Sequence, residues 1–223
     1  MSYTIDEYWT DADGIQRIKD DDSYLYGLLD KYGNVIVPCK YDMIIHFDED
    51  VRLAAVCSPY GKLGYINTSG KEVLPCEYEH VDDRFYCGRA LVKKYGKYGY
   101  IDKYGDLKIQ CEYDEASFFW DEMAAVKKNG VWGIITPFGH QKFSMTYDAI
   151  YVLGDGIIVA GKRSLLGFGP IKYCLFDYTA HRLTDFKYDA IGDRVLSNGR
   201  ILYKKGAEKG YLDKQGFEHR TFG

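Results

Sequence analysis

Short stretches in which alternate residues are apolar recur along the whole chain. In one such stretch Val37, Cys39 and Tyr41 occupy every second position, and a period of two places alternate side chains on one face of a β-strand. Later copies repeat these three columns as Leu74, Cys76 and Tyr78, as Ile109, Cys111 and Tyr113, and as Phe143, Met145 and Tyr147. The pattern therefore predicts a series of similar β-strands.

Two glycines accompany the tyrosine in each copy and define a repeat of about 36 residues. The first follows an aromatic residue in Tyr26-Gly27, Tyr98-Gly99 and Trp132-Gly133, is relaxed to Leu63-Gly64 and Lys209-Gly210, and is lost in Tyr173-Cys174. The second lies at Gly33, Gly70, Gly105, Gly139 and Gly216, with Ala180 in the degenerate copy. Because the three markers keep in step, we predict about six units, starting near residues 26, 63, 98, 132, 173 and 209.

A turn is predicted between the two glycines of each unit. The residue that opens it is Asp30, Asn67, Asp102, Thr136, Asp177 or Asp213. Such side chains accept a hydrogen bond from the backbone two residues on, and a closing glycine tolerates positive φ. An active site needs one pair of carboxylates, whereas a fold needs a cap in each unit. We therefore interpret these residues as turn caps and not as catalytic groups.

Each unit is predicted to be an antiparallel meander of three or four strands, which cannot bury its apolar face alone. Neighbouring units must cover it, in a closed propeller or in an open superhelical stack. The chain ends on the first half of a unit and begins on what resembles a second half, so residues 1–25 are predicted to complete the last unit. We predict one all-β repeat domain, residues 1–223, folded as a six-bladed β-propeller closed by both termini. The alternative is an open β-solenoid.

Composition agrees with an all-β protein and narrows its partners. The chain has 22 tyrosines, 24 glycines and only 5 prolines, a composition that favours strands and tight turns. A formal net charge of −4 offers no basic surface for phosphates, so no nucleic acid partner is expected. Neither a secretory signal nor an apolar run long enough for a bilayer is visible, so we expect a cytoplasmic protein without membrane contact.

Cysteine and histidine give no sign of a metal or cofactor. In the second column cysteine exchanges with Met145 and Phe186, which is the behaviour of a buried small hydrophobic residue. The remaining cysteines, Cys57, Cys87 and Cys174, have no visible partner. No histidines are spaced as metal ligands usually are. We therefore expect no cofactor and no metal site.

The recurring sequence pattern resembles the WG-repeat family of bacteria. It consists of an aromatic residue, glycine, one further residue, Ile-Asp and a later glycine, and then Tyr-Asp and Ala-x-Val-Lys. Trp132-Gly133 is its one literal Trp-Gly dipeptide, and tyrosine is the usual substitute. The resemblance covers nearly the whole chain. It implies a β-repeat scaffold suspected of protein interaction, and it carries no catalytic residues over to this sequence.

One insertion suggests a contact surface. In the fifth unit the connection between Val159 and Tyr173 is lengthened by an apolar, glycine-flanked segment. Loops that a rigid scaffold presents often carry binding, although a plain hairpin extension remains open. The candidate contact loop consists of Arg163, Leu165, Leu166 and Phe168.

A second candidate is an acidic face. Polar loops after the tyrosine strands carry acidic residues in every unit, and equivalent loops lie on one side of a ring or stack. Such a face could steer a basic partner, although acidic loops also serve solubility. Its candidate residues are Asp48, Asp50, Asp83, Asp121, Glu122 and Asp155.

The sequence favours a non-catalytic module that binds another protein. The alternative is a carbohydrate-binding or cell-wall-binding module that uses exposed aromatic residues such as Tyr60, Tyr95, Tyr104 and Phe138. An enzyme ranks third, because no set of acidic residues breaks the repeat columns together.

Overall fold

The computed structural model describes residues 2–164 and 167–220, and all of their regular elements are β-strands. These strands form six antiparallel sheets. Five of the sheets have four strands each, and the remaining one, which is fifth in chain order, has three. The all-β prediction is therefore confirmed for the described residues. Within them, no helix has the length and apolar character needed to cross a membrane.

The chain divides into two compact units, and the first is Met1–Glu112. It contains three sheets in chain order. The first is β1 (Tyr3–Thr10), β2 (Gln16–Asp20), β3 (Tyr26–Leu29) and β4 (Val35–Tyr41); the second is β5 (Met43–Ile44), β6 (Leu53–Cys57), β7 (Leu63–Asn67) and β8 (Glu72–Tyr78); the third is β9 (His80–Val81), β10 (Ala90–Lys94), β11 (Lys97–Ile101) and β12 (Leu107–Tyr113). The unit boundary falls before the last residue of β12.

The second compact unit is Tyr113–Gly223, and it contains the other three described sheets. The fourth is β13 (Glu115–Ala116), β14 (Ala124–Lys128), β15 (Val131–Ile135) and β16 (Gln141–Tyr147); the fifth is β17 (Ala149–Gly154), β18 (Ile157–Lys162) and β19 (Lys172–Asp177); the sixth is β20 (Ala190–Ile191), β21 (Ile201–Lys205), β22 (Glu208–Leu212) and β23 (Glu218–Arg220).

Each sheet is built from one continuous stretch of chain, and this corrects the predicted unit boundaries. The β2 strand pairs with β3, with Ile18 opposite Gly27, so residues 3–20 complete the first sheet. The sixth sheet is completed by its own β23, where Tyr211 lies opposite His219. The prediction that residues 1–25 complete the last unit is therefore wrong. Pairing through a short hairpin costs less loop-closure entropy than pairing across the whole chain.

The glycine of the Tyr/Trp-Gly dipeptide is required because two strands approach each other closely there. A Cβ added at Gly99 would lie 2.5 Å from the carbonyl oxygen of Ile109 and 2.7 Å from the nitrogen of Cys111. At Gly64 the same approach coincides with a shift in register between β7 and β8. Only a residue without a side chain fits such an irregularity.

The aromatic residue of the dipeptide packs beside a lysine of the preceding strand. Trp132 lies opposite Lys127, whose ammonium is 5.6 Å from the indole centroid. Tyr98 and Lys93 repeat the arrangement at 5.0 Å. A cation over an aromatic face is a favourable cross-strand pair. The Ala-x-Val-Lys and Trp-Gly segments of the repeat are therefore partners in one hairpin.

The turn residues between the two glycines act as predicted in five units. One side-chain oxygen of Asp30 accepts hydrogen bonds from the backbone N–H groups of Tyr32 and Asn34, both at 2.8 Å. The same two acceptor contacts, to the second and fourth residue on, recur at Asn67, Asp102, Asp177 and Asp213. The interpretation of these residues as turn caps is confirmed.

Within each unit, apolar side chains fill the space between consecutive sheets. In β6, Ala54 and Val56 pack toward the first sheet, whereas Leu53 and Ala55 pack toward the third. A strand buried on both faces needs a continuous apolar run, which explains the sequence Leu-Ala-Ala-Val. Four tyrosines of the third column belong to these clusters, namely Tyr41, Tyr78, Tyr147 and Tyr188, and Tyr113 is buried as well.

The cysteines of the second column are less buried than predicted. Cys39, Cys76 and Cys111 are half-buried, although Cys76 and Cys111 do pack against core clusters. They lie in β4, β8 and β12, which are the outermost strands of their sheets. An outer strand leaves part of its middle positions open to solvent, so these thiols border the core and are not enclosed by it.

The fifth sheet departs from the others where its sequence does. In place of a fourth strand, residues 182–188 make only two isolated bridges to β19. The N–H of Leu175 donates to the side-chain oxygen of Thr184 at 2.9 Å instead of to a strand carbonyl. Cys174, which replaces the dipeptide glycine, is buried. Loss of that glycine thus accompanies loss of regular strand pairing.

Candidate functional site

The contact loop predicted in the fifth unit is exposed where the structure describes it. Arg163 binds Asp148 through its backbone N–H, at 2.8 Å, and through its guanidinium, at 3.3 Å. Phe168 is 82% exposed, and its carbonyl oxygen accepts a hydrogen bond from Ser164. Leu165 and Leu166 lie outside the described residues.

Three residues of the predicted acidic face line one cleft in the first compact unit, Met1–Glu112. This acidic cleft has a volume of about 520 Å³, and its walls are Ile45, His46, Phe47, Asp48, Glu49, Asp50, Asp83, Arg84, Phe85 and Tyr86. Asp50 and Asp83 are exposed. Asp48 instead caps its own loop by accepting from the N–H groups of Asp50 and Val51, and it also accepts from the N–H of Phe85 at 3.3 Å.

The other three residues of the predicted acidic face lie in the second compact unit, Tyr113–Gly223. Asp121 and Glu122 are exposed in the loop between β13 and β14, and Asp155 is exposed in the loop between β17 and β18. Asp121 accepts a long hydrogen bond, 3.5 Å, from the N–H of Gly156. Asp155 pairs with Lys214 at 3.0 Å. Asp121 and Asp155 therefore join loops of neighbouring sheets as well as carrying negative charge.

An aromatic cleft opens beside these second-unit loops. Its volume is about 320 Å³, and its walls are Ser117, Phe118, Trp120, Met123, Ala125, Tyr151, Val152, Leu153 and Asp193. Phe118 and Trp120 are 46% and 49% exposed, and their rings meet edge to face at a centroid distance of 6.3 Å. Two large aromatic side chains are thus held half in solvent at the mouth of an apolar depression.

The backbone fixes the position of these aromatic residues. Trp120 and Met123 exchange two backbone hydrogen bonds, at 2.8 and 2.9 Å, across a tight turn. Asp121 and Glu122 form that turn with positive φ values of 47° and 59°. The indole also lies on Gly154, where an added Cβ would come within 2.9 Å of the indole nitrogen. Trp120 is therefore presented by a supported loop.

Most polar atoms of the aromatic cleft are engaged within the protein. The Ser117 hydroxyl donates to the carbonyl of Phe118 and accepts from the N–H of Ala125. The Tyr151 hydroxyl donates to the carbonyl of Ile191 at 3.1 Å, and burial raises the pKa of this phenol above its usual range. Asp193 differs, because its side chain is 95% exposed. The cleft thus offers apolar surface and one carboxylate.

Two thiols of the cysteine set, Cys76 and Cys174, are poor nucleophiles. Burial raises the pKa of the Cys76 thiol to about 11 and that of Cys174 to about 12. The thiolate is the reactive form, so both groups are protonated near neutral pH. No group of three or more His, Cys, Asp or Glu side chains among residues 2–164 and 167–220 is arranged to hold a metal ion.

Sequence reasoning missed the aromatic cleft and a pair of structural clamps. The run Phe118-Phe119-Trp120 was available as a signal, since no other unit has three aromatic residues in this loop. Each clamp joins a column tyrosine to a glutamate of the next sheet: Tyr41 donates to Glu72, and Tyr188 donates to Glu218, both at 2.8 Å. Their signal is a glutamate two residues after the closing glycine.

Sheets of one repeated design, each with a glycine at a close strand approach and a capped turn, define an all-β repeat protein. Comparison with known families identifies the repeat. The WG containing repeat matches residues 26–58, 64–98 and 98–132. The chain therefore carries three consecutive WG-containing repeats, and the resemblance seen in its sequence is confirmed over this region.

Solved structures give more distant similarities. A eukaryotic initiation factor is 10% identical over 93% of this chain and 62% of its own, with a TM-score of 0.49. BamB from Moraxella catarrhalis is 13% identical over 96% of this chain and 75% of its own, with a TM-score of 0.38. The WD40 β-propeller domain of Doa1 is 12% identical over 96% of this chain and 77% of its own, with a TM-score of 0.36. No curated protein matched the sequence.

Proposed function

We propose that this chain is a non-catalytic protein-interaction module that receives an apolar side chain of its partner in the aromatic cleft. The half-exposed pair of Phe118 and Trp120 at the mouth of the cleft carries this proposal. Aromatic residues are enriched in the energetically dominant positions of protein interfaces. Because the surrounding backbone already holds Trp120 in place, little conformational entropy is lost on binding.

The polar inventory of the cleft supports a protein partner over a sugar. Sugar recognition needs hydrogen-bonding groups directed at hydroxyls, as small-ligand sites generally need convergent polar groups. Here Ser117 and Tyr151 are bonded to backbone carbonyls. What remains is apolar wall and the carboxylate of Asp193, which suits a side chain better than a sugar ring.

One observation favours carbohydrate binding as a second candidate. Several hairpin tips carry aromatic side chains that are two-thirds or more exposed, as a stacking platform for sugar rings requires. They are Tyr24, Tyr60, Tyr95, Tyr32, Tyr104 and Phe138. This candidate uses different residues from the aromatic cleft, so the two candidates can be separated by mutation.

The proposal that the protein is not an enzyme is supported by the engagement of its reactive groups. The turn aspartates accept backbone hydrogen bonds, and the pKa of the Cys76 and Cys174 thiols is raised by burial. A catalytic acid, base or nucleophile instead needs a matched pKa and access to substrate.

We also propose that the six sheets are the blades of one closed propeller. Six sheets of similar meander design among the described residues support this arrangement. Small-angle X-ray scattering distinguishes it from the open stack, because an open stack has a longer maximum dimension for the same mass. A distance distribution with an extended tail would contradict closure.

Affinity capture with matched variants tests the interaction function. Proteins retained by the unmodified chain and by Tyr60→Ser, but lost from Trp120→Ala, are the expected result. Tyr60 is 92% exposed, so its variant controls for removal of an exposed aromatic ring elsewhere. Circular dichroism and thermal melting establish that all three proteins are folded. If Tyr60→Ser loses the same proteins and a glycan array binds the unmodified chain through the hairpin tips, carbohydrate binding takes precedence.

A further inference from the structure

The loops around the aromatic cleft carry more negative than positive charge. Carboxylates come from three connections of the second unit: Asp121 and Glu122 follow Trp120, Asp155 follows Gly154, and Asp193 forms part of the wall. The cations on these groups are Arg194, 4.0 Å from Asp193, and Lys214, 3.0 Å from Asp155. Among the described residues, two of the four carboxylates thus have an ion-pair partner, and Asp121 and Glu122 add negative charge beside Trp120.

We infer that the partner segment bound here is basic: an apolar anchor residue enters the aromatic cleft, and an adjacent lysine or arginine meets the carboxylates around it. This inference rests on the proposed function and adds the chemistry of the partner. A segment that places acidic residues beside its anchor is repelled by the same groups.

The anchor is defined by the apolar walls of the cleft. Met123 and Ala125 belong to the buried core beneath it, while Val152 packs against that core from a half-buried position. Phe118 and Trp120 flank the opening. An aliphatic or aromatic side chain that enters this space removes apolar surface of both molecules from water, which is the main favourable contribution in such pockets.

The cation is directed by the exposed carboxylate of Asp193 and by the aromatic rings. Asp193 is part of the cleft wall, so a lysine or arginine next to the anchor lies within reach of its carboxylate. The same cation can lie over the face of Trp120, which is the most favourable ring for such a contact. Because these charges are exposed, they chiefly raise the association rate, and their effect weakens with added salt.

Selection from a random peptide library tests the inference without knowledge of the natural partner. The unmodified chain and the Trp120→Ala variant are immobilised, and the enriched sequences of the two pools are compared. The expected result is enrichment of an apolar residue next to Lys or Arg on the unmodified chain only. Enrichment of an apolar anchor with neutral or acidic neighbours overturns the basic character and leaves the proposed function intact. Equal pools on the two proteins overturn both.

Charge-neutral variants test the same point quantitatively with a selected peptide. Asp193→Asn combined with Glu122→Gln is expected to weaken binding about tenfold at low ionic strength, mainly through slower association, and the difference is expected to shrink at high salt. The control is Asp50→Asn, which removes an exposed carboxylate of the first unit. An equal loss in the control, or no loss in the double variant, contradicts a local role for these carboxylates.

Discussion

The turn at Thr136 is the one described repeat turn whose opening residue makes no capping bond. Its backbone matches the other turns, since the N–H of Thr136 donates to the carbonyl of His140 and the N–H of Gly139 donates to the carbonyl of Thr136. The Thr136 hydroxyl, however, is buried without a hydrogen-bond partner. Threonine has a shorter reach than aspartate, so the acceptor does not extend to the two N–H groups that follow.

Replacing Thr136 by aspartate is therefore expected to stabilise the protein. A carboxylate here can accept from the N–H groups of residues 138 and 140, as Asp30 does in the first sheet, and the gain is about 1 kcal/mol. Urea unfolding measures the change. The control is Thr136→Val, which removes the unpaired hydroxyl at nearly constant volume and is expected to be neutral. If the valine variant loses more unfolding free energy than the aspartate variant gains, the Thr136 hydroxyl does have a hydrogen-bond partner.

Glu218 gives the clearest dependence of stability on pH. A hydrogen bond from Lys187 lowers the pKa of this carboxyl to about 2, with further help from the Tyr188 hydroxyl. Because its folded pKa lies below the ordinary value, the charged form stabilises the folded state at pH values above about 4.5, and this contribution is lost as the pH falls toward 2.

The variant Glu218→Gln is expected to lower the free energy of unfolding at pH 7 by about 1 to 2 kcal/mol. The difference from the unmodified protein should diminish between pH 4.5 and pH 2, where the native carboxyl becomes protonated as well. Chemical denaturation across this pH range provides the measurement. A difference that stays constant down to pH 2 would mean that charge plays no part in the clamp.

At the level of the strand pair, the glycine of the Tyr/Trp-Gly dipeptide sets how closely two strands can approach. Gly99→Ala should lower the free energy of unfolding by about 1 to 3 kcal/mol, because the new methyl group meets the backbone of Ile109 and Cys111. Thermal or urea unfolding measures the loss. Gly192→Ala is the matched control, since an added Cβ there lies 3.6 Å from its nearest neighbours. Equal effects of the two substitutions would contradict the steric explanation.

Strands and turns could be predicted from the sequence because local chemistry determines them. The alternation from Val37 to Tyr41 and the capping residue Asp30 both act within a few residues of chain. The aromatic cleft could not be predicted in the same way, because Trp120 and Tyr151 come from different sheets and meet only through packing. The half-buried state of Cys76 likewise depends on β8 being an outer strand, which the repeat pattern does not reveal.

For the whole molecule, the repeat markers predict about six units, and the described residues form six sheets, but the markers do not predict which strands pair at the ends. Tyr3–Thr10 resembles the segment after Tyr113 because both begin a new sheet, and this likeness does not make Tyr3–Thr10 half of a shared unit. The structure instead pairs β2 with β3. Removing residues 1–24 should therefore cause its largest loss of amide-exchange protection in β3, which hydrogen-exchange mass spectrometry can measure. If the largest loss of protection occurs in β22 instead, residues 1–24 do complete the last sheet.

The construction of every sheet from one continuous stretch has a consequence for how the protein is made. The first sheet ends at Tyr41 and the second at Tyr78, so the strands of each are all available long before synthesis reaches the later repeats. Chains are synthesised at about 5 to 20 residues per second, whereas a hairpin closes in microseconds. Each sheet can thus form as it leaves the ribosome, and the next sheet can then pack against its apolar face. Few strand edges stay unpaired until a distant part of the chain has been made.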